Sequence, residues 1–515
     1  MFILPTKILD RHITPAGGEA TFTFDLGNLV TQWDAQEGIT SRHLVLIVNA
    51  ASEDAVAQRD VVLRFNGDDG ANYGYQTLKG EGAGPATAPA SGAATVIEAF
   101  SIPGTNYANS LGGGEVVIPD AFGGNTKTSL SLGGSVEDEV EIICGRWVNV
   151  AAITSITLLP NMGLFAAGSE FSIGVIDERY LLEEVILAAD SPVHFRNITQ
   201  GDGDLVVVAV GRSAHNTFDN LDLALNNDIL NANYSRMYLL GSAGAASASG
   251  ANDRRIGALA GDDNPTYLSP FILSIYQYTK ENQPFYTSIS GRDATVIQVY
   301  SGRRLNNEPV HTLTLLSQLD AANALNTGCI ASLYRIPKRV IDRQVLTEDA
   351  ATITFADIPQ YFEALRLNVY ARTDNAGNRD SVLLSFNADF VAANYDEQEL
   401  AAFGAAVLVS RNVSRAAMMV AGDTLSADGF GGGSILVPGY TRTDSHKHRV
   451  TMSGSAENIA RVYSSRWNDM DAVTRIDLAP GIGPNFIAGS VFELEGILRK
   501  EGLPASAGMS IGVPI

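Results

Sequence analysis

Cysteine is nearly absent. Cys144 and Cys329 are the only two in 515 residues, far apart and at unrelated points of the chain, which excludes a disulfide framework and a Cys-based zinc site. Both read as small buried residues. Basic side chains are scarce as well: 35 Lys and Arg against 57 Asp and Glu leave a formal charge of −22. That field repels phosphate backbones and anionic membranes, and no basic patch offsets it, so nucleic acid is not expected as a partner. No stretch reaches the ~20 apolar residues of a membrane span, so membrane insertion is not expected. Met1-Phe2-Ile3-Leu4-Pro5 lacks the charged and long apolar regions of a signal peptide, which predicts synthesis in a cytoplasm. Catalytic signatures are scarce too: there is no His-Glu-x-x-His, Walker-type loop or nucleotide fingerprint.

What is present is a folded, strand-rich composition. The chain is 45% hydrophobic and 18% charged, with 50 glycines, and its Asn, Asp, Ser and Thr supply turns between many short strands. Period-2 alternation is visible in Ala20-Thr21-Phe22-Thr23-Phe24, Ala351-Thr352-Ile353-Thr354-Phe355 and Leu365-Arg366-Leu367-Asn368-Val369-Tyr370, the mark of strands with one buried face. Helical periodicity is nearly absent.

The chain repeats itself three times. A strand ending in Asn, with Asp two positions on and Asn-Tyr soon after, occurs as Asn66, Asp68, Asn72, Tyr73, as Asn226, Asp228, Asn233, Tyr234 and as Asn387, Asp389, Asn394, Tyr395. The first asparagines are 160 and 161 residues apart. An arginine landmark follows in Gly145-Arg146-Trp147, Gly302-Arg303-Arg304 and Ser465-Arg466-Trp467, then a glycine at Gly168, Gly328 and Gly489. The expected architecture is all-β: three tandem jelly-roll-like β-sandwich modules of seven to nine strands, at 1–177, 178–337 and 338–498, with a C-terminal arm at 499–515. The connecting stretches, Asp177-Glu178-Arg179 and Pro337-Lys338-Arg339, are too short for flexible linkers, so the modules should pack together. The second lacks the runs Gly112-Gly113-Gly114 and Gly431-Gly432-Gly433 and reads as a divergent unit between two similar ones, with unequal contacts.

The repeated Asn-x-Asp invites a calcium reading, but each copy offers one dependable carboxylate where calcium takes six to eight oxygens; a backbone-bonded turn is the better account. The recurring arginines suggest ion pairs inside each module, Asp68–Arg146, Asp228–Arg303 and Asp389–Arg466. His446-x-His448 could hold a metal on a strand, yet Lys447 and Arg449 make it cationic, which favours a solvated loop. No catalytic, cofactor-binding or metal residue is assigned, and no enzyme activity is expected. Tandem copies multiply a surface, whereas an active site needs one specialised constellation.

Phe65-Asn66-Gly67-Asp68-Asp69-Gly70-Ala71-Asn72-Tyr73, with Gly145-Arg146-Trp147 and Ile153-Thr154-Ser155-Ile156, resembles a module of tailed-bacteriophage virion proteins. The third copy fits well and the second in outline. The resemblance implies a virion structural component of tail, fibre, baseplate or capsid-decoration type, assembled with other virion proteins and repeated by virion symmetry. A host-surface glycan-binding adhesin and a polysaccharide-degrading tail enzyme are the alternatives.

Overall fold

The computed structural model describes residues 7–27, 42–135, 139–176, 180–201, 203–242, 244–263, 267–292, 295–320, 322–336, 340–425, 428–455 and 459–498. The connecting triplets at 177–179 and 337–339 and the arm at 499–515 lie outside them. Strands dominate, and the named helical pieces are three-residue 3-10 turns at Asn231–Asn233 and Ala392–Asn394.

Each third of the chain forms a two-sheet antiparallel sandwich. Its smaller sheet has four strands, ordered Phe22–Asp25, Ser155–Pro160, Gln58–Phe65, Ile97–Pro103 in the first segment. The second repeats this with Val193–Phe195, Leu313–Ser317, Asp219–Leu225, Arg255–Leu259, and the third with Ile353–Phe355, Ile476–Pro480, Arg379–Phe386, Ala416–Ala421. The larger sheet of the third segment has eight strands, ordered Val340–Val345, Val491–Leu498, Phe362–Ala371, Gly431–Pro438, Lys447–Gly454, Ile459–Trp467, Tyr395–Phe403, Ala406–Val413. In the first and second segments the larger sheets merge into one of 17 strands, because Thr87–Ala88 pairs with Gly244–Ala251 through Ala88↔Gly244 and Thr87↔Ala245.

The third segment therefore holds twelve strands, eight and four, where seven to nine were expected. Lys127–Ser135, with sequence KTSLSLGGS, and Lys447–Gly454 are buried along their whole length. Both alternate apolar and polar residues, Ser129-Leu130-Ser131-Leu132 and Val450-Thr451-Met452-Ser453, yet both faces are covered; alternation predicts one wet face and so understates their burial.

What covers the second face is the other segments. Each sandwich has its own core, and a further cluster draws on all three larger sheets, with Leu130, Leu132, Val140, Ile142 and Cys144 meeting Met237, Leu239, Ile289 and Val299, and Val450, Met452 and Val462. The contacts close a ring. Lys127–Ser135 packs on Ser269–Tyr276, Phe285–Arg292 on Gly431–Pro438, and Lys447–Gly454 on Gly112–Ile118. Along the centre, Tyr73–Glu81, Tyr234–Ser242 and Tyr395–Phe403 touch one another pairwise, as do Glu139–Trp147, Val296–Arg304 and Ile459–Trp467. The second segment consequently has no middle position in space: every segment touches both others through the same pair of surfaces. The glycine runs serve strand pairing inside each larger sheet rather than the contacts between segments. A side chain at Gly113 or Gly432, φ +149° and +156°, would run into the carbonyl oxygen of Val48 or Val369 on the paired strand.

Candidate functional site

The repeated motif is a tight turn. Asn66 and Gly67 have φ +53° and +68°, Asn226 and Asn227 +53° and +58°, and Asn387 and Ala388 +49° and +58°. Two successive left-handed residues make a turn of the type that Asn-Gly favours, closed by Asp68 N to Phe65 O, Asp228 N to Leu225 O and Asp389 N to Phe386 O at 3.0, 3.0 and 2.8 Å. The asparagine ties it to the neighbouring strand's approach. Asn66 Oδ1 accepts from Thr154 N at 2.7 Å and Ser155 N at 3.1 Å, and its Nδ2 donates to Ala152 O at 2.8 Å. Asn226 does the same with His311 N, Thr312 N and Pro309 O, and Asn387 with Thr474 N, Arg475 N and Ala472 O. The tyrosine hydroxyl accepts from the last strand amide, Phe65, Leu225 or Phe386, and donates to the aspartate's own carbonyl.

The aspartate gathers N–H donors. Asp68 accepts from Trp147 Nε1 at 2.7 Å, Asn72 Nδ2 at 2.9 Å and Gly70 N at 2.9 Å, and the Trp147 bond leads the interactions that hold its carboxyl below the usual carboxylate range. Asp389 matches it with Trp467 Nε1 at 2.8 Å, Asn394 Nδ2 and Val391 N. Asp228 takes Arg304 Nε at 3.2 Å, Asn233 Nδ2 and Leu230 N. Those hydrogens point where a cation would have to sit.

The expected Asp–Arg pairs are therefore replaced by pairs with the following residue, Trp147, Arg304 or Trp467. Strand alternation is the reason: neighbouring side chains point to opposite faces. Trp147 lies in its sandwich core, and Arg146 turns outward to another segment, where its guanidinium stacks 4.1 Å from the Tyr267 ring. Arg466 pairs with Asp396 at 2.6 Å and also reaches Ser110 of the first segment. Arg303 bonds Gln283 Oε1 at 2.7 Å, and the Gln283 backbone meets the third segment, its carbonyl accepting from Tyr370 OH at 3.3 Å and its amide donating to Asp428 O. The recurring arginine is an interface residue. His446-x-His448 is also corrected. His448 stands on Lys447–Gly454, buried, against Ser464 Oγ at 2.9 Å, and burial followed by the Arg449 charge pushes it down to about 3. His446 is half-buried, its amide bonded to Asn109 O of the first segment, so the stretch is neither a solvated loop nor a paired metal site.

Sequence reasoning missed one cluster altogether. Asp60, Glu98, Glu139 and Glu141 converge between the two sheets of the first segment, from the strands Gln58–Phe65, Ile97–Pro103 and Glu139–Trp147. Carboxylate oxygens of Asp60, Glu139 and Glu141 lie within 4.8 Å of one another, an arrangement that could hold a metal ion. Lys79 Nζ reaches in from Tyr73–Glu81, paired with Glu139 and 4.0 Å from Glu141, and Tyr75 OH donates to Glu98 Oε1 at 2.6 Å. Burial, then the Asp60 charge, pushes Glu141 up to about 8; burial also raises Asp60 and Glu98. The carboxyls gather around the partly exposed Lys79 side chain, with Glu139 fully buried and Glu141 4% exposed. No sequence signal marks it, because its members come from strands far apart in the chain. The positions that match Asp60, Glu98, Glu141 and Lys79 hold Asn220, Arg255, Gln298 and Leu240 in the second segment and Ser381, Ala416, Arg461 and Ala401 in the third.

No family model matches the chain, and no curated protein matches it. Among solved structures, domains LG4-5 of the mouse laminin alpha1 chain align at 12% identity over 61% of this chain and 89% of theirs, with a TM-score of 0.16. A structure described as the triple jelly roll fold and turret assembly in an archaeal virus aligns at 10% identity over 95% and 99%, TM-score 0.11. Sulfolobus turreted icosahedral virus aligns at 10% identity over 94% and 99%, TM-score 0.11. Likeness this slight carries no argument, and the case rests on the chain's own geometry.

Proposed function

We propose that the chain is a structural component of a phage virion, in which three covalently joined jelly-roll-like sandwiches replace a trimer of separate subunits. The observation that carries this reading is the closed ring of three repeated contacts around one shared core. A head-to-tail interface that closes after three rotations makes a finite unit with approximate threefold symmetry, suited to a symmetric position on a particle surface. Joining the three copies in one chain lets each face outward with different loops while the ring stays intact. The turn motif's likeness to virion modules points the same way. Glycan adhesion and polysaccharide cleavage are the competing readings.

Immunogold labelling of particles from producing cells, together with protein identification in the purified particles, tests it. The expected result is label at regular surface positions and the intact chain among the particle proteins. Particles without the chain, or release of reducing sugar from a glycan panel by the purified protein, would overturn it.

A further inference from the structure

The three interfaces use the same two positions and fill them differently. One position lies on the opening strand of each segment: Arg11, Glu184 and Arg343 sit opposite Ser172, Ser332 and Glu493, each four residues beyond the repeated glycine. The other lies at the start of the strands Leu44–Ala50, Asp204–Gly211 and Phe362–Ala371, just before the first two and at the register irregularity that opens the pairing of the third, and holds Arg42, Gly203 or Glu363. Around the ring, the second position of the first segment faces the first position of the second, and that of the third faces that of the first; the matching positions between the second and third are Gly203 and Arg343.

Between the first and second segments, Arg42 Nε meets Glu184 at 3.0 Å, and Arg42 Nη1 also reaches Asp120 of its own segment at 3.2 Å. Between the third and first segments the polarity is reversed: Glu363 Oε1 meets Arg11 Nε at 3.0 Å. That pair is buried, 5% exposed on either side, and is extended by Arg11 to Glu170 at 2.8 Å, Arg442 to Glu170 at 3.0 Å and Ser172 Oγ to Glu363 at 2.6 Å. Between the second and third, Gly203 offers no charge at this position, and Arg343 turns to Glu493 of its own segment at 2.6 Å and Gln277 of the second at 3.3 Å; the charge pair across this interface sits elsewhere, Asp204 with Arg366 at 4.0 Å.

We infer that the opposed polarity of Arg42–Glu184 and Glu363–Arg11 specifies which segment accepts which, so that the chain closes one ring in one circular order. The alternatives are disfavoured by charge. In the reverse order Arg42 would face Arg343 and Glu363 would face Glu184, like against like wherever the second position is charged. Three copies of the first segment, the first to leave the ribosome, would set Arg42 against Arg11. A ring completed by the second segment in place of the third would leave Arg11 facing Gly203, a buried arginine that has lost its carboxylate across the interface. Repulsion against wrong neighbours together with attraction to the right one is how closely similar surfaces are kept apart, and like charges brought together at an interface are strongly disfavoured. The inference concerns folding of the single chain and does not depend on the virion reading.

The test separates order from strength. Asp120→Asn serves as background, since it removes the third charge and the matching position in the second segment already carries an amide, Gln277. In that background, Arg42→Glu creates repulsion with Glu184 and makes the first segment self-complementary, because the new carboxylate would attract Arg11 of a second copy. Adding Glu184→Arg restores the native attraction and leaves the first segment self-complementary. Each full-length protein is unfolded in denaturant, refolded at one concentration, and examined by thermal melting and by size-exclusion chromatography with light scattering. The expected result is a Tm lowered by about 2–4 °C in Arg42→Glu and regained with Glu184→Arg, while misassembled oligomers stay several-fold above background in both. Oligomers that vanish when stability is regained would make the pair a mere stabiliser and overturn the inference, as would a yield of monomer unchanged in either variant. If Arg42→Glu alone does not fold, the Arg42→Glu/Glu184→Arg protein decides by itself.

Discussion

The strands Glu139–Trp147 and Ile459–Trp467 occupy the same place in the first and third segments, and their two ends behave oppositely. At the C-terminal end both carry a tryptophan whose Nε1 donates to the turn aspartate, at 2.7 and 2.8 Å, beside a tyrosine that makes the same two bonds. At the N-terminal end the first segment holds Glu139 and Glu141 among carboxylates around Lys79, whereas the third holds Arg461 paired with Glu399, near Glu397 and Arg449. A tight turn with two left-handed residues has few solutions, because every backbone group in it must find a partner. The gap between two sheets requires only that buried charge be compensated, and many residue sets do that. The repeat is therefore rigid where geometry rules and loose where only a balance is required.

The largest expected effect attacks the shared end. Trp147→Ala removes a buried ring packed against Phe65 and Tyr73 and should destabilise the protein by about 3–5 kcal/mol in denaturant unfolding. Trp147→Phe, which keeps most of the packing and loses the bond to Asp68, should be milder, about 1.5–3 kcal/mol. If Trp467→Ala in the third segment proved neutral, the two turns would not be equivalent.

The unshared end is read by pH. As pH rises from about 4.5, Glu141 ionises in the unfolded chain while the folded protein holds its proton until about 8. The folded state thus binds more protons across that window, and stability falls through it and levels off above. Glu141→Gln should remove this slope, leaving the variant more stable than wild type by on the order of a few kcal/mol at pH 9 and little different at pH 4.5. Melting temperatures between those values check it. Parallel curves for variant and wild type would separate Glu141 from the pH dependence.

Two smaller changes sharpen the turn comparison. Asn66→Ala forfeits the side-chain bonds to Thr154, Ser155 and Ala152 at a left-handed position and should destabilise by about 2 kcal/mol. Gly67→Ala gives the first turn the residue that the third carries as Ala388. Space is open there, with φ +68°, so only conformational strain remains, about 1 kcal/mol. Calorimetry resolves both.

Much of this was legible from residues alone. Asn66, Asp68 and Tyr73 announce their turn because its bonds are local or reach one nearby strand, and a local geometry selects residue types directly. Arg146 was visible as a landmark and misread in role, since the direction of a side chain depends on strand parity, which is fixed only once Trp147 is seen in the core. Asp60 and Glu141 were invisible as partners because nothing in sequence brings their strands together. What the sequence by itself determined is the threefold period, the strand-rich character and the chemistry of the repeated turn, all set by short-range sterics and hydrogen bonding. Only the tertiary structure decided that the three sandwiches close into a ring and that fully buried strands such as Lys127–Ser135 join the shared core. It alone set Arg42 against Glu184 and Glu363 against Arg11, because long-range packing and charge pairing depend on which distant surfaces meet.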